Sequence, residues 1–312
     1  MSFNNPYCRR TAIHKCPKAA MGSSLILLSF FIMISCEDVI EIKAEDAASE
    51  LVVDAWLNNK SEIQTIRMNR SQNYFDNSDP PPETGASVKI SNRDGNTFIF
   101  QDINNNGFYS WTPLSGQSLG EIGDIFTLSI EINSEIYSAS TELFRVPILD
   151  SLVQEFKENE IFLDDGIYVE FFARDFPGTG DSYWIKSFKN GNFLNKATEL
   201  NIAYDAGFDS GSQIDGLIFI PPIREFVNEH GDNQIDIPWN PGDISKVEIH
   251  SISNEAFNFL EIARDQINNG NNGIFSIPFA NTRSNIFNVQ SGAQVLGFFN
   301  VSAVSEKELL IR

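Results

Sequence analysis

The sharpest candidate for metal chemistry in this chain is the run Asp205-Ala206-Gly207-Phe208-Asp209-Ser210-Gly211-Ser212-Gln213-Ile214-Asp215. It places carboxylate, hydroxyl and amide oxygens in a glycine-containing loop, as calcium prefers. It departs from the EF-hand pattern, because Gly207 stands where Asp or Asn is expected, Ser210 replaces the turn glycine, and no Glu closes the loop. Asp205 to Asp215 therefore reads as a solvated acidic loop, and no metal is assigned to it. The adjacent acids Asp164 and Asp165 resemble a glycosidase pair only in type, since 42 Asp and Glu residues make such neighbours by chance. His250 lies in Val247-Glu248-Ile249-His250-Ser251, where strand alternation sets it opposite Val247 and Ile249 on an expected solvated face. His230, in Glu229-His230-Gly231-Asp232, reads as part of a polar loop with no second ligand at a metal-binding interval. There is no H-E-x-x-H, no Cys-His cluster, no G-x-S-x-G and no phosphate-cradling glycine loop. No catalytic residue, cofactor or metal site is assigned, and the chain is expected not to be an enzyme.

Binding chemistry depends on exposed aromatic faces. Trp56, Trp111 and Trp184 lie in strand-like contexts and are expected in the core. Trp239, between Pro238 and Pro241 in a loop, is the best candidate for an exposed aromatic.

Cys36 carries a different chemistry. From Met1 to Ser35 the chain has four basic residues, Arg9, Arg10, Lys15 and Lys18, and no acidic one. The run Leu25 to Ile34 is apolar and ten residues long, shorter than the roughly 20 needed to span a bilayer. This is the shape of a secretory signal. It ends at Ile34-Ser35-Cys36, which resembles a bacterial lipobox except that Met33 stands where Leu is usual. The expectation is that residues 1–35 are a lipoprotein signal peptide and that Cys36 becomes a diacylated first residue, palmitate included. The alternatives are a retained membrane anchor, or an ordinary cysteine after conventional cleavage. The remaining cysteines, Cys8 and Cys16, lie in the leader, so the mature chain is expected to hold no disulfide.

The elements that must position these residues come from a chain of 312 residues with 42% hydrophobic content and 26 Phe, enough to bury a core. Its formal charge is -20, and losing the leader, which holds four of the 22 basic residues and none of the 42 acidic ones, deepens it to -24. Such a field repels phosphate backbones, so nucleic-acid binding is excluded. Residues 36–50 read as an acidic tether. Leu51 to Val53 with Trp56, Ile63 to Met68, Val88 with Ile90, Phe98 with Phe100, and Ile125 to Ile132 read as short strands. Asp94-Gly95, Asn104 to Gly107, Gly123-Asp124 and Asn133-Ser134 supply the turns between them. This spacing predicts an immunoglobulin-like antiparallel β-sandwich over 51–147. Asn73 to Thr84, with Pro80, Pro81 and Pro82, is expected to be an exposed loop.

Phe144 to Leu152 contains a proline and is taken as the boundary of a second β-rich domain over 148–312, also sandwich-like. Its expected strands are Ile167 to Ala173, Tyr183 to Phe188, Leu217 to Ile220, Val247 to Ser251 and Val295 to Val301. One amphipathic helix is predicted from Ala256, Phe259, Leu260, Ala263 and Ile267, with Ser253 as N-cap and Gly270 as stop. Its role is to cover a sheet. The predicted class is mainly β, two sandwich-like domains with one covering helix.

Several blocks taken together resemble a known family. Leu51-Val52-Val53, Asn73-Tyr74, Ala86 to Ile90, Gly107 with Tyr109, Tyr137-Ser138-Ala139, Asp150-Ser151-Leu152, Gly180 to Trp184, Pro241-Gly242-Asp243 and Leu296-Gly297-Phe298-Phe299, with the lipobox, are similar to the lipoproteins of Bacteroidota grouped as domain of unknown function 4249. The resemblance implies a secreted, lipid-anchored, β-rich protein of the outer membrane, on its surface or periplasmic face. It also implies a partner, a TonB-dependent outer-membrane receptor, beside which the chain is an accessory or ligand-capturing subunit. The alternatives are a free-standing surface module binding glycan or peptide and, third, an enzyme of carboxylate type.

Overall fold

The computed structural model describes residues 48–73, 76, 78–161, 163–207, 215–231, 235–269 and 282–312. The leader, Cys36 and most of the tether lie outside them, as do 208–214 of the acidic loop and Gly270. Residues from Ala47 to Arg312 form a compact unit. Among the described residues no helix is long and apolar enough to cross a membrane.

Among the described residues, sixteen strands and one α-helix follow in order. The first seven are β1 (Leu51–Asn58), β2 (Gln64–Arg70), β3 (Ser87–Asn92), β4 (Thr97–Phe100), β5 (Phe108–Trp111), β6 (Ile125–Ile132) and β7 (Glu135–Glu142). Beyond them lie β8 (Leu149–Lys157), β9 (Gly166–Ala173), β10 (Ser182–Lys189), β11 (Asn192–Phe193), β12 (Asn201–Tyr204) and β13 (Ile244–Ile252). The helix α1 (Asn254–Asn269) precedes β14 (Phe287–Asn288), β15 (Leu296–Ser302) and β16 (Val304–Leu310).

Two sheets, ordered β15-β1-β2-β5 and β14-β7-β6-β3-β4, face each other as a β-sandwich. Period-2 alternation builds it: Leu51, Val53, Ala55 and Leu57 of β1 point inward with Ile66 and Met68 of β2, against Val88, Ile90, Phe126, Leu128 and Ile130 of the other sheet. The turn Asn133-Ser134 closes β6 on β7 with both residues at positive φ, 51° and 70°, as a two-residue hairpin whose twist matches its strands demands.

The chain passes 147/148 and then returns. β14 pairs with β7, and β15 runs parallel to β1 over Val52↔Leu296 to Asn58↔Ser302. Strands from beyond residue 148 thus complete both sheets of the sandwich. Phe299 and Val301 of β15 enter its core while Phe298 faces the opposite way, so this strand is buried on both faces.

A third sheet, β11-β10-β13-β16 with β12 on β10, packs with the hairpin β8–β9 around a second core of Phe171, Tyr183, Ile185, Val247 and Ile249. Leu149 to Leu152, inside the expected boundary segment, are strand paired to β9. Leu217 to Ile220 is not a strand and makes an isolated bridge, Arg174↔Ile218.

Helix α1 forms where its sequence predicted, and Ser253 caps it, its Oγ accepting the Ala256 amide at 3.0 Å. Ala256, Phe257 and Leu260 are buried against Ile202, Ile252 and Phe298, and Ile267 is exposed, so the buried stripe turns toward Phe257 rather than Ile267.

Candidate functional site

The outward face of β1, β2 and β5 carries the residues that the core does not use. Asp54 lies opposite Arg67, and Arg67 opposite Phe108, so a carboxylate, a guanidinium and an exposed ring stand in one row across three strands. Trp56 projects from the same face and meets Trp184 of β10 edge to face, with ring centroids 5.2 Å apart and an interplanar angle of 79°. Trp56 is in turn stacked on Phe298 at 5.5 Å. These contacts fix both indoles at the corner where the sandwich meets the third sheet. They border an open cavity of about 530 Å³ lined by Asp54, Trp56, Thr65, Arg67, Phe108 and Trp184, a volume within the range of small-molecule sites.

The charges at this shelf are not consumed by one another. The Arg67 guanidinium lies 5.5 Å from the Phe108 centroid, and the Lys186 ammonium sits 4.0 Å over the Trp184 ring. Among the described residues none of Asp54, Arg67 and Lys186 makes an ion pair within 4.0 Å. Burial brings Lys186 down to about 8. Indole faces beside an unpaired carboxylate and guanidinium offer stacking together with directional donors and acceptors.

The structure revises the sequence reading of the tryptophans. Trp239 is 3% exposed, with its indole N–H donating to Asn228 Oδ1 at 2.8 Å and its ring in the second core. The flanking prolines mark an irregular backbone but not what covers it. Trp56, Trp111 and Trp184 are on strands as expected and only half-buried, and two of them line the cavity.

The histidines are also revised. His250 does lie opposite Val247 and Ile249, but that face is covered, and the residue is 3% exposed. Its Nε2 is 2.8 Å from Glu248, which Lys60 (2.9 Å) and Lys246 (2.8 Å) also engage; both lysines bridge to Glu306 as well. This box fastens the β1–β2 turn onto β13 and β16. Burial would raise the Glu248 carboxyl, but hydrogen bonds from His250, Lys246 and Lys60 outweigh it and hold Glu248 well below the usual carboxylate range. Burial, reinforced by Lys186, lowers His250 to about 4, so it is neutral. His230 is buried too, with Nε2 3.3 Å from Asp236.

The acidic loop is not solvated at its start. Asp205, at the end of β12, is buried, and beside it the fold places Asp215 and Asp175, a residue that no local sequence signal connects to them. A larger cavity of about 950 Å³ lies between β7 and α1, lined in part by Phe144, Phe259, Ile262, Arg283 and Phe298.

With the geometry in place, comparison with known families is decisive for one point. The model of the family described as Domain of unknown function (DUF4249) matches residues 37–308. The chain belongs to this family. No curated protein matches it. The DUF4249 match spans the sandwich, the third sheet and α1, and so contains the shelf, the His250 box and the three aspartates.

Proposed function

We propose that this DUF4249 protein is a non-enzymatic, lipid-anchored outer-membrane protein, of the Bacteroidota lipoprotein type, that captures ligand beside a TonB-dependent receptor. The observation that carries the capturing role is the shelf: two fixed indoles and a phenyl ring around an open cavity, with Asp54 and Arg67 unpaired. The lipid anchor at Cys36 is supported by the apolar leader ending in Ser35-Cys36, and the family match begins at the next residue. Tethering confines the domain near the membrane and raises its effective concentration for a neighbouring barrel even where the contact is weak.

The test is crosslinking in intact cells followed by detergent solubilisation and pull-down of the lipidated protein. A β-barrel receptor enriched over an unrelated lipoprotein control is the expected result. Recovery of the protein alone overturns the accessory role and leaves the shelf to a free-standing module for glycan or peptide, chemistry that unpaired charges beside indole faces also suit.

A further inference from the structure

We propose that Asp175, Asp205 and Asp215 form a divalent-cation site whose ion is calcium. The three residues come from separate segments, just after β9, at the end of β12 and at the return of the acidic loop, and each offers a carboxylate oxygen within 4.8 Å of the others. Carboxylate oxygens gathered this loosely suit the longer, more flexible contacts of calcium, about 2.3–2.6 Å, better than the rigid octahedron that magnesium demands at about 2.0–2.1 Å. Asp175 and Asp205 are 2% and 1% exposed. Water therefore screens their mutual repulsion poorly. Among the described residues no lysine, arginine or histidine forms an ion pair with any of the three, and the nearby Arg145 is engaged by Asp181 at 3.0 Å.

A second observation is independent of the clustering. Asp215 is half-buried, but its Oδ1 atom is buried and, among the described residues, has no hydrogen-bond partner. Leaving a carboxylate oxygen dry and unpaired is costly, and a cation is the partner that removes this cost for an anionic oxygen. The other carboxylates are held in place. Tyr183 donates its hydroxyl to Asp175 Oδ1 at 2.7 Å, and the Gly216 amide donates to Oδ2 at 3.2 Å. The amides of Gly180 and Asp181 donate to Asp205 Oδ1 at 2.8 and 3.1 Å. A carboxylate has about four lone-pair sites, so these bonds orient each group and leave it able to bind an ion. The site ties both ends of the acidic loop to β9, a structural role that does not depend on the shelf.

The experiment uses the full chain purified in detergent, stripped with a chelator and titrated with CaCl2 or MgCl2, with heat of binding and thermal unfolding as readouts. Terbium luminescence sensitised through Tyr183 reports occupancy directly. At roughly 100 times Kd, calcium is expected to raise Tm by about 5 °C. Asp215→Asn, which leaves the bonds to Asp175 and Asp205 intact, is expected to abolish the calcium-dependent shift and the terbium signal while the circular dichroism of the folded chain is retained. No heat, no shift and no luminescence overturns the site. Wild-type binding by Asp215→Asn overturns it equally, and a magnesium response equal to that of calcium overturns the choice of ion.

Discussion

Asp54 on β1 stands directly opposite Arg67 on β2, yet the guanidinium turns onto the Phe108 ring and leaves the carboxylate without an ion pair. An opposed pair on adjacent strands would ordinarily add a few tenths of a kcal/mol to the sheet. Here that contribution is forgone, and both groups stay available at the mouth of the cavity beside Trp56 and Trp184.

The consequence is a separation of stability from binding. Asp54→Asn and Arg67→Ala are each expected to change unfolding free energy by less than about 0.5 kcal/mol, with a coupling energy near zero in a double-mutant cycle. Both are expected to weaken retention of whatever ligand co-purifies with the protein. A coupling above about 1 kcal/mol by urea denaturation would show the two charges paired in solution.

Gly297 permits the parallel pairing of β15 with β1. Its φ is 96°, and a Cβ there would lie 1.9 Å from the Val53 carbonyl oxygen. Gly297→Ala must displace backbone, so a loss of about 3 kcal/mol or more is expected, measured by chemical denaturation. A neutral result would mean that β15 does not dock on β1 as described.

The His250 box makes stability depend on pH. His250 is lowered to about 4 from an ordinary 6.5, so the unfolded chain binds the extra proton between those values and the folded chain does not. The groups facing it are Glu248 and Lys246 on β13, Lys186 on β10, Glu306 on β16 and Lys60 beyond β1. Stability is therefore complete above about pH 6.5 and falls by about 2–3 kcal/mol as pH drops toward 4. Glu248, held low, adds to the loss below its unfolded value. His250→Gln is expected to flatten the part of the Tm–pH curve between 6.5 and 4, and an unchanged slope would refute the assignment.

Limited proteolysis separates two segments that read alike in the sequence. Asn73 to Thr84 is largely exposed where described, whereas Leu149 to Leu152 are hydrogen-bonded to β9. A broad-specificity protease is expected to cut within 73–84 first, read by mass spectrometry of the early fragments. First cleavage at 144–152 would contradict the β8–β9 pairing.

Cys36→Ala is expected to abolish lipid labelling and release the protein from the membrane fraction. A variant that remains an integral membrane protein would identify the leader as a retained anchor.

What the sequence determined by itself is what depends on neighbours a few residues apart. Alternation in Leu51 to Leu57 set which side of β1 is core, Asn133-Ser134 marked a hairpin because only certain residues tolerate positive φ in succession, and Ser253 capped α1 because a helix start leaves amides that a hydroxyl can satisfy. What covers the other side of a strand is set by residues far away in the chain, and only the tertiary structure decided it. His250 sits on the face its alternation indicates, but that face is covered in the fold, where Lys60 from beyond β1 reaches the adjacent Glu248, and the residue is buried. Trp239 is flanked by loop residues and packed in a core, while Trp56 and Trp184, on strands 128 residues apart, meet at an open cavity. Asp175, 30 residues before Asp205, joins the acidic loop only because β9 and β12 end side by side. Spacing along the chain encodes local geometry, but burial and the summed field at a site are properties of chain segments brought together by folding.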